Sequence, residues 1–409
     1  MRITHLNNSD ITGGAARAAY RIHQSILRRN VHSRMWVKFS QSDDWTVIGP
    51  KEKWKKGFAQ LRRHIISPAI KMMKSQNKIL HSPAILPSSW SNKLNSSDTD
   101  LVHLHWLGAE MASIADIGAI NKPVVWTLHD MWAFCGAEHV SWDNRWQEGY
   151  KNNNRPNDEK GFDINRWTWN RKLKYWKRPF HIIAPSKWLA DCAKKSVIMR
   201  DWKIDIIPNC LDIQKWAPVE KNLARKLIGL PKDIPLIAFG SYGANNEYHK
   251  GYDLLIDALK DLKSQIKGVE LVIFGQSAPQ KLPDLNFPVH YTGLLHDDIS
   301  LRLLFSAANL VVVPSRKEAF GQTAIESMAC STPVVAFGST GLLDIIDHKV
   351  NGYLAKPFQS EDLANGIKYI LETSKYEEFC NNARMKVIKQ FDSSVVSEKY
   401  LKIYHEILR

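Results

Sequence analysis

Cysteine is sparse: five residues, at positions 135, 192, 210, 330 and 380, stand far apart and form no C-x-x-C pair. Neither a zinc ribbon nor a disulfide framework is expected from such spacing, and a reducing cytosol suits isolated thiols. No apolar run approaches the ~18 residues of a spanning helix. The opening Met1-Arg-Ile-Thr-His-Leu-Asn-Asn turns polar before the apolar core of a signal peptide could form. The expectation is a cytoplasmic protein, peripheral at most at the inner face of the plasma membrane. Acidic residues are scarce as well: 41 Asp and Glu against 56 Lys and Arg leave a formal charge of +15. That surplus points to an anionic partner, whether nucleic acid, phosphorylated substrate or membrane surface. Heptads, internal repeats and low-complexity tracts are missing too.

What is present is globular. Hydrophobic residues make up 44% and charged residues 24% of 409, enough to bury a sizeable core in two or three domains. Short apolar runs alternate with longer helical patterns, and the alternation occurs twice. Strands are expected at Arg2–Leu6, Ser33–Val37, Leu101–His105, Val124–Leu128, His181–Ala184 and Asp205–Ile207. A second set is expected at Leu236–Phe239, Glu270–Phe274, Val289–Tyr291, Leu310–Val313, Pro333–Ala336 and Gly352–Leu354. Two doubly wound α/β domains follow, 1–210 and 211–390, facing a cleft at the carboxyl ends of their strands. The tail 391–409 reads as a helix expected to pack on the first domain.

The most informative stretch is Pro314-Ser-Arg-Lys-Glu-Ala-Phe-Gly-Gln-Thr-Ala-Ile-Glu-Ser-Met-Ala329, which leaves an apolar strand and enters a helix. Glu318 falls in the loop and Glu326 about one turn inside the helix, with the amides of Gly321, Gln322 and Thr323 between them. Such a terminus suits a diphosphate, and the carboxylates suit sugar hydroxyls; the same pattern also fits an ordinary loop–helix junction. Upstream, Ile237-Ala-Phe-Gly240 runs through a loop to Lys250-Gly251, where Lys250 could aim a cation at the same phosphates or simply start a surface helix.

In this order and on these elements, the two motifs resemble the second domain of the retaining nucleotide-sugar glycosyltransferases of family 4, with the GT-B fold, of the kind used in bacterial surface polysaccharide biosynthesis. Gly13-Gly14 at a helix start looks like that family's N-terminal glycine loop. Pro123-Val-Val-Trp-Thr-Leu-His-Asp-Met-Trp132 resembles the segment whose His lines the active site, here His129, and Ala184-Pro-Ser-Lys-Trp-Leu189 and Ile206-Ile-Pro-Asn209 also resemble family segments. The resemblance implies that Glu318 contacts donor-sugar hydroxyls, Glu326 the ribose, Lys250 the phosphates, and Gly321, Gln322 and Thr323 the sugar and diphosphate through their amides. His129 would sit by sugar and acceptor, so His129 and Glu318 are the catalytic candidates. Gly240, Gly275 and Leu294, the last in the Thr292-Gly-Leu-Leu295 turn, would lie along the nucleotide.

Two departures stand out. Ser241 replaces the Arg that commonly follows the first-strand Gly of this domain, with His249 a candidate substitute cation. Gly136-Ala-Glu-His139 replaces Gly-Gly-Cys-His. Asp98-Thr-Asp100 invites a metal but falls at the amino end of a strand, so a reaction needing neither metal nor other cofactor is expected. The resemblance implies retention, with front-face attack by the acceptor hydroxyl.

The charge is local. Residues 51–80 hold nine Lys or Arg against Glu52, with Trp54, Lys55, Lys56, Arg62 and Arg63 marking a membrane or acceptor surface. Residues 145–178 hold ten basic against four acidic residues, interleaved with Trp and Tyr. Two basic, aromatic-bearing stretches suit docking to an anionic membrane or a solvated face over a buried core. The expected activity is transfer of a sugar from a nucleotide-diphosphate sugar to a glycan, lipid-linked, for O-antigen, capsule or exopolysaccharide. The alternatives are a basic nucleic-acid-binding protein, or an epimerase or hydrolase on the same fold. The partners expected are nucleotide sugar, acceptor and inner-membrane surface, and no nucleic acid.

Overall fold

The structure, a computed structural model, describes the chain except for residues 51, 241–247, 279–284, 286 and 296, and the side chains of 53–56, 58–60 and 63. It divides into two compact units: Met1–Asn209 with Val396–Arg409, and Cys210–Val395.

In the first unit the strands are β1 (Arg2–Ser9), β2 (His32–Phe39), β3 (Val47–Ile48), β4 (Met73–Lys74), β5 (Leu101–Leu104), β6 (Val124–Thr127), β7 (Lys160–Gly161), β8 (His181–Ala184) and β9 (Ile204–Ile206). Seven of them form a sheet in the order β3-β2-β1-β5-β6-β8-β9, parallel throughout. The short β4 and β7 pair antiparallel as a separate ribbon; two-residue strands carry no period for a sequence reading to detect. The second unit holds β10 (Leu236–Gly240), β11 (Glu270–Phe274), β12 (Val289–Gly293), β13 (Leu310–Val313), β14 (Val334–Phe337) and β15 (Gly352–Ala355). Their order is β12-β11-β10-β13-β14-β15, again all parallel.

Continuous apolar runs make these strands because a parallel sheet is covered on both faces. Alternate residues separate accordingly. Ile237, Phe239, Leu310 and Val312 pack with Leu255 and Leu259 on one face, while Leu236, Ala238, Val311 and Val313 pack with Ile325 and Met328 on the other. In each sheet the winding reverses beside the first strand, between β1 and β5 and between β10 and β13. Loops leaving such a switch point diverge and open a crevice at the carboxyl ends. Gly13, His105 and Trp106 follow β1 and β5 there, and Lys250 and Pro314–Gly321 follow β10 and β13.

The helix Ser393–Leu408 starts in the second unit and runs mostly in the first. Its Tyr400 and Tyr404 are fully buried, bonding Thr127 Oγ1 at 3.0 Å and His103 Nδ1 at 2.6 Å.

In the basic stretch 145–178, Lys151, Lys160, Lys174, Lys177 and Arg178 are exposed over a buried core, whereas Arg145 and Lys172 are buried, which corrects the reading of those two as part of a docking face. Trp146, Trp169 and Trp176 are buried. The Arg145 guanidinium bonds Asp143 at 3.0 Å and Glu159 at 3.1 Å. The Lys172 ammonium is buried and donates to the carbonyls of Trp132, Cys135 and Gly136. A cation so satisfied is a structural peg, since each of its protons has an acceptor. Arg62 is corrected likewise: it is buried, and its guanidinium donates to the carbonyls of Glu110, Pro87 and Leu86 at 2.8, 2.9 and 2.7 Å. Trp54, Lys55, Lys56 and Arg63 lie outside the described side chains. On the same helix, Lys53–Lys71, and at its end, Leu61, Ile65 and Met72 are exposed.

Candidate active site

In the second unit the site is assembled around one glycine. Gly251 sits at φ +67°, and a Cβ there would lie 1.9 Å from the Pro314 carbonyl oxygen. Only glycine fits, so the turn bearing Lys250 is held directly against the end of β13. The Lys250 ammonium donates to Glu318 Oε1 at 2.6 Å, and Ser315 Oγ donates to the same oxygen at 2.9 Å. Thr340 Oγ1 accepts from the Glu318 amide at 3.0 Å, and the Gly341 amide bonds the Glu318 carbonyl at 3.0 Å. Burial pushes the Glu318 carboxyl up, but Lys250 and Ser315 outweigh it and hold its pKa below the usual range. The carboxylate is therefore ionised and fixed.

Gly321, at φ +124°, precedes the helix Gln322–Ala329, which has neither a side-chain cap nor an acid in its first turn. A Cβ on Gly321 would meet Leu342 at 2.8 Å, so the helix mouth packs against that loop. Gln322 holds both carboxamide atoms away from solvent without a hydrogen-bond partner. Such orphans are rare in native proteins, and a bound ligand is one of the ways their missing partners are supplied. Thr323 is partly buried beside it, and Glu326 is buried one turn further in. Gly240 ends β10 against the Phe274 ring. Gly275 follows β11 at φ +89°, its amide bonded to the Gly293 carbonyl at 2.8 Å, and half-exposed Leu294 follows β12.

Ser241 lies outside the described residues. His249 fails as a substitute cation: burial first, then neighbouring Lys250, lowers its pKa to about 4. Arg316 is committed elsewhere, bonding Asp253 at 2.7 and 2.6 Å.

In the first unit Gly13 stands at φ +91° with open space where a Cβ would project, as does Gly14. The loop ahead of them is tied by a residue that sequence reading passed over. The Asp10 carboxylate accepts from the amides of Ile11, Gln41 and Ser42 at 3.0, 2.9 and 2.7 Å. His129 lies two residues past β6, its Nε2 3.1 Å from His105 Nδ1. Burial lowers its pKa to about 4, Asp130 opposing, so it is neutral near pH 7. The next residue heads a second constellation. Asp130 Oδ2 accepts from Trp106 Nε1 at 2.7 Å and lies 2.6 Å from His139 Nδ1, while His139 Nε2 is 2.8 Å from Ser82 Oγ. His105, Trp106, His129, Asp130 and Trp132 line one small cavity. The adjacency of His129 and Asp130 was visible in sequence and His139 stood in the Gly136-Ala-Glu-His139 segment, whereas Ser82, 57 residues from His139, carried no signal. Asp98 and Asp100 both bond Arg2, at 3.5 and 3.0 Å, an ordinary surface ion pair.

Residues 12–215 match the family model described as Glycosyltransferase Family 4, and residues 237–386 match Glycosyl transferases group 1. The chain belongs to family 4 of the glycosyltransferases, with the GT-B fold. Among curated relatives, an uncharacterized glycosyltransferase of Methanocaldococcus jannaschii is 31% identical over 193 residues, covering 45% of this chain and 48% of that protein. The N,N'-diacetylbacillosaminyl-diphospho-undecaprenol alpha-1,3-N-acetylgalactosaminyltransferase of Campylobacter jejuni is 26% identical over 222 residues, 52% of this chain and 56% of that protein. The chain thus spans about half the length of the curated relatives it matches. Among solved structures, sucrose-phosphate synthase from Thermosynechococcus elongatus superposes with a TM-score of 0.67 at 18% identity, covering 100% of this chain and 99% of the other. Anabaena HepE in complex with UDP-glucose gives 0.63 at 19%, covering 99% and 100%. At these identities the likeness is one of fold.

Proposed function

We propose that the protein transfers a hexose from a nucleotide-diphosphate sugar to a hydroxyl of a lipid-linked glycan, with retention and without a metal ion. The observation that carries this reading is the Lys250–Glu318 pair, at 2.6 Å, beside an uncapped helix terminus with the unpartnered Gln322 carboxamide. A cation and a helix N-terminus answer a diphosphate; an ionised, fixed carboxylate answers sugar hydroxyls. As the bond from the anomeric carbon to the diphosphate oxygen breaks, negative charge grows where Lys250 and the amides of Gln322 and Thr323 can meet it. The acceptor oxygen bonds to the anomeric carbon from the same face, and its proton passes to the departing phosphate. Glu326 is assigned to the ribose, and His129 to the sugar and acceptor.

The nucleotide is proposed as uridine diphosphate from the UDP-glucose bound by Anabaena HepE, and a polyprenyl-diphosphate acceptor from the printed activity of the Campylobacter relative. Among the described residues no helix is long and apolar enough to cross a membrane. Exposed Leu61, Ile65 and Met72 on a basic helix support peripheral docking to an anionic leaflet for a cell-surface polysaccharide. A thermal-shift screen of UDP-glucose, other UDP-sugars and GDP- and ADP-sugars tests the donor, since a ligand of the native state raises Tm by mass action. Failure of every nucleotide sugar to raise Tm at millimolar concentration would sink the reading.

A further inference from the structure

The first sheet buries an unusual set of polar rings. His5 on β1 pairs in register with His103 on β5, and His105 follows on the same face of that strand. His5, His103 and His105 are all but fully buried. Three of the imidazoles make one continuous file: His5 Nδ1 lies 2.9 Å from His105 Nε2, and His105 Nδ1 lies 3.1 Å from His129 Nε2. The middle ring is locked by its own backbone, whose amide bonds the Leu6 carbonyl at 3.0 Å and whose carbonyl accepts from Trp126 Nε1 at 2.9 Å.

We infer that His105 and His5 are positioning residues for His129, and that this file fixes His129 as the tautomer protonated on Nδ1, a hydrogen-bond donor toward substrate. The inference rests on the site reading above in placing substrate beside His129.

The direction of the file follows from counting protons. Burial keeps all three rings neutral, and a neutral imidazole carries one N–H and one bare nitrogen. Two ordered arrangements are therefore available. In the inward one, His129 Nε2–H donates to His105 and His105 Nε2–H donates to His5, which leaves an N–H on His5 Nε2. That nitrogen is shut off from solvent and has no acceptor, and a buried N–H without an acceptor is among the rarest features of native proteins. In the outward arrangement His5 Nδ1–H donates to His105 Nε2 and His105 Nδ1–H donates to His129 Nε2. The bare lone pair of His5 Nε2 is then all that remains buried, and the third proton is on His129 Nδ1, the nitrogen away from the file. Held so, His129 has no lone pair to offer on that side. It can donate to a sugar or acceptor oxygen and cannot remove the acceptor's proton, which leaves that proton to the departing phosphate. Control of a ring's tautomer by a buried neighbour is worth orders of magnitude in rate in other enzymes.

Closeness also allows a metal ion among His5, His103 and His105. It is the poorer arrangement. Both nitrogens of His103 are taken, by Thr127 and Tyr404, and both of His105 by His5 and His129. No carboxylate is among those partners to balance a buried divalent charge.

The test is long-range proton–nitrogen NMR of the histidine rings in the full-length protein labelled with nitrogen-15 histidine, with His129→Gln to assign the signals. The expected result is a single tautomer for His129, protonated on Nδ1, and the same for His105. In His105→Phe the His129 signals should move to the Nε2–H form or an average. In His105→Asn, whose amide keeps a donor near the old Nδ1, they should stay as in the wild type. An Nε2–H His129 in the wild-type spectrum overturns the inference even if neither variant folds. So does a His129 tautomer unchanged in a folded His105→Phe variant, or a set of ring signals that moves on chelation and returns with zinc. The nucleotide-sugar screen fails or succeeds independently: a fixed Nδ1–H tautomer with no nucleotide sugar bound would leave the file standing and remove the substrate reading.

Discussion

Lys250 and Glu318 depend on each other, and on a glycine that neither could be placed without. The lysine is partly exposed, with 42% of its side chain open to solvent against 17% for Glu318, so the pair itself is worth at most about 1 kcal/mol of stability. Its value lies in orientation. Lys250→Ala is accordingly expected to leave the ligand-free Tm within about 2 °C, by the conversion of small energies to Tm in chains of this size, yet to abolish most of the upward shift given by UDP-glucose; differential scanning fluorimetry reads both. Gly251→Ala is the opposite case. With a Cβ forced to 1.9 Å from the Pro314 oxygen and a φ of +67°, it should cost at least ~2 kcal/mol, measured by urea unfolding of the second unit. The segments that hold Lys250, Gly321 and Glu326 could be singled out in advance because each is a short contiguous motif. His105, Asp10 and the Asp130–His139–Ser82 chain could not, because each depends on a partner brought close only by the sheet. Arg62 was misread for a related reason: an arginine in a basic run looks solvated until the carbonyls it binds are in view.

At the level of elements, two helices decide how the first unit is finished. The helix Ser393–Leu408 inserts hydroxyls against the histidine face, and Tyr404→Phe would leave His103 Nδ1 buried without its 2.6 Å partner. The expected loss is about 1–3 kcal/mol, read from the urea midpoint of the unit. The helix Lys53–Lys71 is pinned by Arg62 from below and offers Leu61, Ile65 and, just beyond, Met72 to solvent. Replacing these three by serine should weaken sedimentation with phosphatidylglycerol vesicles by ~10-fold or more through lost apolar burial without moving the fold. Equal binding by the triple variant would remove the membrane surface from the proposed function. The central strands were legible from their apolar runs alone, to within three residues at either end. Edge strand β3 and the ribbon of β4 and β7 were not, because two residues have no periodicity to read. The stretch 145–178 shows the limit of counting charge: its tryptophans are at the spacing of a core as much as of an interface.

Taken whole, the molecule is unevenly sensitive to acid. His23, His81 and His129 have pKa values lowered to about 4, in each case chiefly by burial, and His5, His103 and His105 are lowered well below the usual range by the same cause. All six belong to the first unit, against His249 at about 4 in the second. Because the folded values lie below the unfolded one, the unfolded chain takes up protons first as pH falls below about 6.5. Stability is therefore complete above that pH and drains as pH falls toward 4 and beyond, each histidine adding at most ~1.4 kcal/mol per pH unit. Glu138, raised by burial to about 7, opposes this for a single proton. Urea midpoints between pH 7.5 and 4.5 should fall more steeply for the first unit than for the second. Parallel slopes would contradict the neutral cluster. The two-unit plan was readable at this scale because the α/β alternation simply occurs twice; the acid sensitivity was not, since nothing in a list of fifteen histidines says which ones lose their water.

The helix that begins in one unit and ends in the other also sets an order of events during synthesis. The second unit is a single uninterrupted stretch, Cys210–Val395, whereas the first needs residues 396–409 as well as 1–209. On the ribosome the earlier-made sheet must therefore wait, its histidine face uncovered by Tyr400 and Tyr404, until the later-made unit has been translated in full. The first unit is begun first and completed last, so a nascent chain stalled anywhere before residue 396 would display that polar, half-built face to chaperones and proteases.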